Sequence, residues 1–279
     1  MFLYNIKEKY VEAFYIYNNI KGVASMKDSK ILKVFEQYIK KFDMNKGNVK
    51  AMYFHSIKMM ELCKDIASNV GVFDDEEILV CGIIGLFHDI SLYSNKNKNC
   101  IFLDSDDDCT KDTIDILFDK DKLIRDIIGD SKYDNYIKLA IYCHNKNGLP
   151  KGFDKKTIEF CKVMKDAHVI DSFRMVTHYP YMDMNIDNMP SSLVYNDFKK
   201  YKVVSAKVSD NDADKILEVM SLVFGMYYPY SCSLVKEEDC INKLIDSLYI
   251  KDKKINKFFK QIAGVMNLYL DRKIGGKNA

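Results

Sequence analysis

Residues 74–89 read DDEEILVCGIIGLFHD, and this stretch decides the fold. Asp74 or Asp75 can accept from the free N–H groups of a first helical turn, and Glu76 and Glu77 suit the positive end of a helix dipole. The run that follows, Ile78 to Phe87, is apolar nearly all round. A helix of that composition is central and buried. It ends on a histidine and an aspartate, His88 and Asp89. The spacing therefore predicts a core helix with two ligand-capable side chains at its C-terminal end.

The same helical period extends outward in both directions. Only four prolines interrupt it. Residues 30–42 place Ile31, Leu32, Val34, Phe35, Tyr38 and Ile39 on one face, as an amphipathic helix requires. Residues 50–69 repeat the pattern and carry His55. Residues 94–108 read as a loop, helices resume at 110–118, 134–143 and 155–177, and a second loop covers 179–192. Residues 211–227, 237–248 and 252–272 again read as amphipathic helices. The expectation is an all-α protein. The YYPYS stretch at 227–231 is a candidate exposed patch.

Composition excludes several classes of function. A hydrophobic fraction of 48% and a charged fraction of 29% are those of a soluble globular protein. A net charge of +2 gives no strong overall field, so neither a nucleic-acid polymer nor a membrane is expected as partner. The apolar run at 78–87 is about half as long as a bilayer-spanning helix. The eight cysteines include no Cys-x-x-Cys pair, and Cys63, Cys81, Cys143 and Cys161 fall in apolar helical stretches. They read as buried thiols of a reducing compartment. Lys7, Glu8 and Lys9 stand where a secretory signal needs an apolar core. A cytoplasmic protein is expected.

Four of the five histidines, His55, His88, His144 and His168, sit in or at the end of helical segments, one of them beside Asp89. Imidazole nitrogens with a carboxylate oxygen are a common ligand mix for a divalent transition metal. Helix bundles build such sites from facing helices. Read from the residues alone, the group is either a set of core histidines satisfied by hydrogen bonds or a metal site.

The text FHSIKMMELCKDIA, LVCGIIGLFHDI, LAIYCHNKNGLP and FCKVMKDAHVIDSFR resembles the HD-domain superfamily of metal-dependent phosphohydrolases. The resemblance covers residues 28–176 and implies an HD-domain helical bundle with additional N- and C-terminal helices. It divides the chain into an N-terminal extension at 1–27, an HD domain at 28–177 and a C-terminal helical region at 178–279. It implies that His55, His88 and Asp89 hold a divalent ion (Mn, Fe, Co or Zn), with Asp89 also serving as the catalytic carboxylate that bridges to a second ion. His144 matches a ligand of that second ion.

Three positions depart from the family pattern. His168 stands where relatives have an aspartate ligand; it can ligate, with less negative charge and a longer reach. Cys109 stands where relatives have a histidine, and its thiolate is a candidate ligand. Leu92 replaces an arginine suited to phosphate. Lys96, Lys98 and Lys146 can offset that loss as point charges. The expected function is hydrolysis of a small phosphorylated substrate such as a nucleotide. The alternative is a degenerate, non-catalytic module that binds a metal, a nucleotide or a protein partner. Oligomeric state is not legible.

Overall fold

The computed structural model describes residues 26–94, 107–146, 148–178, 186–205 and 208–276. Among them the regular elements are all helical, and no strand is present beyond an isolated bridge at Tyr249. The chain divides into two compact units between Met164 and Lys165. The residues of the expected N-terminal extension before Met26 lie outside the described ones.

The first unit holds α1 (Met26–Ile39), α2 (Gly47–Asn69), α3 (Asp75–Phe87), α4 (Asp107–Asp115), α5 (Leu123–Ile127), α6 (Asp134–Cys143) and the front half of α7 (Lys155–His178). Asp74 starts α3 through a capping box: its side chain accepts from Glu77 N–H, and the Glu77 carboxylate accepts from Asp74 N–H, each at 2.9 Å. The two bonds satisfy N–H groups that the helix itself leaves open. Every residue from Val80 to Phe87 is buried. Apolar composition and length alone would let Asp75–Ser94 cross a bilayer, but 72% of that window is buried inside the protein, which makes it a core helix.

Two glycines set how closely α3 approaches α2. A Cβ on Gly85 would lie 2.4 Å from the Met59 carbonyl oxygen and 2.9 Å from Cys63 Sγ. A Cβ on Gly82 would lie 2.7 Å from the Lys64 side chain. The helices therefore touch backbone to backbone, and the end of α3 is delivered beside the middle of α2. Phe35 on α1 closes the core, edge-on to Phe87 at 5.6 Å and to Tyr93 at 6.0 Å. On α7, Phe160 packs against Phe73 and Tyr136, and Met164 Sδ lies 3.9 Å from Cys63 Sγ.

The second unit begins within α7 and continues through α8 (Ser192–Lys199), α9 (Asp212–Ser221), α10 (Pro229–Glu237), α11 (Cys240–Ser247) and α12 (Lys253–Ile274). Asp166 is fully buried and accepts from the N–H groups of Tyr227 at 2.9 Å and Tyr228 at 3.0 Å, where α10 starts. Burial pushes its carboxyl up to about 6, against the pull of those two donors. The division of the chain thus falls inside a helix rather than in the 179–192 loop. Tyr227, Tyr228 and Tyr230 are half-buried and Ser231 is buried, so the YYPYS stretch is a helix start rather than an open patch.

Candidate metal centre

Four expected ligands lie in the first unit. His55 comes from the middle of α2, His88 caps the C-terminus of α3, Asp89 follows it, and His144 caps the C-terminus of α6. All four are buried. The ligand atoms of His55, His88 and Asp89 lie within 4.8 Å of one another. His55 Nε2 is 3.1 Å from His88 Nε2, and Asp89 Oδ2 is 3.2 Å from His88 Nε2 and 3.7 Å from His55 Nε2. The second carboxylate oxygen faces the other way, with Oδ1 3.6 Å from His144 Nε2. The rings pack edge to face, at 4.9 Å between His55 and His88 and 5.1 Å between His88 and His144.

Two backbone carbonyls fix which nitrogen each ring presents. His88 Nδ1 is 2.8 Å from the Gly85 oxygen, and His144 Nδ1 is 2.5 Å from the Ile141 oxygen. A carbonyl only accepts, so each Nδ1 carries the proton, and in the neutral ring Nε2 carries the lone pair. That is the tautomer a metal takes, oriented by the hydrogen bond its ligation needs. Both Nε2 atoms face Asp89.

Burial raises the Asp89 carboxyl, but when the neighbouring rings are protonated the charge of His88, hydrogen bonds from His55 and His88, and the charge of His144 outweigh it. The group is held well below the usual carboxylate range. Asp89 is therefore anionic at neutral pH in a site of imidazoles. The turn after it is anchored by hydroxyls. Ser91 Oγ donates to the Cys109 carbonyl at 2.9 Å, and Thr113 Oγ1 donates to Ser91 Oγ at 2.9 Å. Tyr93 OH lies 3.1 Å from Ser56 Oγ, next to His55 in sequence. Burial raises the Tyr93 phenol, Ser56 lowers it, and the Asp89 charge raises it further. Sequence reasoning missed this residue, although it stands in the same HDISLY text as the doublet.

His168 is half-buried on α7 and belongs to the second unit. Cys109 is buried near the start of α4, and its sulfur is disulfide-bonded. This corrects both readings of Cys109: a sulfur in a disulfide is neither a free thiol nor a thiolate ligand. The other six described cysteines are free and buried, as their apolar settings predict. Lys146 is half-buried, with its ammonium 5.2 Å from the ring centre of Tyr142. Lys96 and Lys98 lie outside the described residues. Leu92 is half-buried, and its N–H donates to the Asp89 carbonyl at 3.0 Å.

Comparison with known protein families, with curated proteins and with solved structures returned no match for this chain.

Proposed function

We propose that the chain is a metal-dependent phosphohydrolase of the HD-superfamily type that acts on a small phosphoester such as a nucleotide. His55, His88 and Asp89 bind a divalent transition ion (Mn, Fe, Co or Zn), and His144 stands on the far side of the Asp89 carboxylate. One observation carries this reading. His88 Nε2 lies 3.1 Å from one candidate donor and 3.2 Å from another. Two ligands about 2.1 Å from one ion, at angles between square and tetrahedral, are roughly 3.0–3.4 Å apart. Both His88 pairs therefore match one ion, while His55 Nε2 and Asp89 Oδ2, at 3.7 Å, stand slightly wider than that range.

His88 Nε2 carries a lone pair, so its contact with His55 Nε2 calls for either a proton on His55 or a cation between the two nitrogens. When bound, the ion supplies Lewis acidity towards a phosphoryl oxygen and a water molecule. The protein's own groups do the rest. Asp89 keeps its negative charge in a buried setting and offers one oxygen towards His55 and His88 and the other towards His144. The Gly85 and Ile141 carbonyls stop the His88 and His144 rings from turning. Lys146 is the described lysine proposed to offset phosphate charge.

Two observations favour a second reading, a binding module without turnover. Leu92 occupies the position of a phosphate-directed arginine, and the Cys109 sulfur is committed to a disulfide.

Metal analysis of protein purified without chelator tests both readings. The expected result is about one ion per chain, and less than a tenth of an ion per chain excludes the metal site. A phosphatase screen with Mn, Fe, Co or Zn should show turnover that His88→Ala and Asp89→Ala abolish. Bound metal with no turnover across nucleotides and simple phosphoesters selects the binding module. His168→Ala in the same metal titration tests whether the ligand set extends beyond the first unit.

A further inference from the structure

The net charge of +2 conceals a local excess. Residues 249–276 carry seven lysines or arginines against two aspartates, so the rest of the chain is net negative. Five of the seven, Lys251, Lys253, Lys254, Lys257 and Lys260, fall within ten residues at the start of α12, and all are exposed. Both aspartates are already engaged. Asp252 caps α12 by accepting from the N–H groups of Lys254 and Ile255, and Asp271 pairs with Lys236. None of the five lysines pairs with a carboxylate among the described residues.

The inner face of α12 is fully used: Ile255, Phe259, Ile262, Met266, Tyr269 and Leu270 are buried within the second unit. The outer face has an order along its length. Lys253, Lys257, Lys260, Gly264 and Leu268 follow spacings of three and four, so they form one stripe. Lys253, Lys257 and Lys260 also line a shallow cleft with Asn256 and Gln261. A Cβ on Gly264 would meet nothing within 4 Å, so the stripe is flat there. Leu268 is 61% exposed and Val265 beside it is exposed as well, while Tyr249, at 63% exposure, flanks the lysine end.

We infer that this face of α12 is a docking surface for an anionic lipid bilayer. Lysines lack the planar fork that fixes one phosphate in place, so a field of lysines suits diffuse surface charge. The stripe runs about 23 Å along α12, as a helix lying flat requires. Leu268, Val265 and Tyr249 are costly in water, gain by entering a bilayer interface, and gain little against a nucleic acid. The face is thus basic at one end and apolar at the other, on a helix already anchored by its opposite side.

Co-sedimentation of the full chain with vesicles tests this. Binding is expected to phosphatidylcholine vesicles containing phosphatidylserine, not to phosphatidylcholine alone, and it disappears at high salt. The double variant Lys257→Gln, Lys260→Gln should weaken partition about 30-fold, with an unchanged helical spectrum. Leu268→Ser should weaken it several-fold. No partition onto anionic vesicles overturns the inference, as does partition that ignores both variants. Equal or tighter binding to a DNA duplex at the same salt also overturns it, since the face would then be reading a polyanion.

Discussion

Asp89 and Asp166 are both buried aspartates, one in each unit, and their surroundings treat the same side chain in opposite ways. Asp89 is ringed by His55, His88 and His144 and is held well below the ordinary carboxylate range. Asp166 is met by two backbone N–H groups and is pushed up to about 6. Burial opposes the charge in both. Full or partial cations overcome that cost at Asp89, and neutral dipoles do not overcome it at Asp166. The lesson is that burial alone says little about role. A carboxylate kept ionised among imidazoles is suited to a cation, whereas one beside the first N–H groups of α10 fastens a helix end.

The largest expected effect breaks the Asp89 side of this comparison without touching Asp89. Gly85→Ala places a methyl against the Met59 carbonyl, which is backbone and cannot swing aside. A loss of about 3 kcal/mol is expected, at the upper end for an overpacked core. Urea denaturation measures it. The same variant should bind metal more weakly, because α3 moves off α2 and carries His88 away from His55.

A somewhat smaller effect sharpens the comparison through pH. Asp166 has a raised value, so its stabilising contribution is complete below the unfolded value near 4 and is lost as pH rises through about 6. Asp89 has a lowered value, so its contribution is present above about 4 and is lost as pH falls below that. The Asp166 contribution is on the order of 2 kcal/mol. Denaturation midpoints at pH 4.5, 5.5, 6.5 and 7.5 should fall across this range in the parent, and Asp166→Asn should flatten that slope. A slope unchanged by the substitution places the titration elsewhere.

The smallest effect concerns how α3 begins. Asp74→Ala removes one half of the capping box and should cost about 1 kcal/mol in the same assay. Metal affinity should not change, since the cap is at the opposite end of the helix from His88.

Much of this was legible in the sequence. Apolar period alone located α1, α2, α3, α6 and α12, because each buries one face or, for α3, every face. The capping residue and the His88-Asp89 doublet were also readable, since both depend on neighbours in the chain. The missed features depend on distant partners. Nothing local in KDAHVID shows that Asp166 will meet the N–H groups of Tyr227 and Tyr228, so the division of the chain within α7 was invisible and was expected between 177 and 178 instead. Among the first unit's site residues, three histidines and one aspartate could be named from their text. The ring orientation could not, because its acceptors are main-chain oxygens that every sequence possesses. Cys109 was misread because a lone cysteine does not reveal how its sulfur is engaged.

Those main-chain oxygens have a further consequence. The groups that aim His88 and His144 belong to Gly85 and Ile141, each three residues back at a helix end. No exchange of side chains can delete a peptide carbonyl. Lineages descended from this chain can vary the surrounding core while both imidazoles keep their bearing, provided each helix still terminates at the same residue. The aim of the site is thus robust to point mutation and vulnerable only to shifts in helix length.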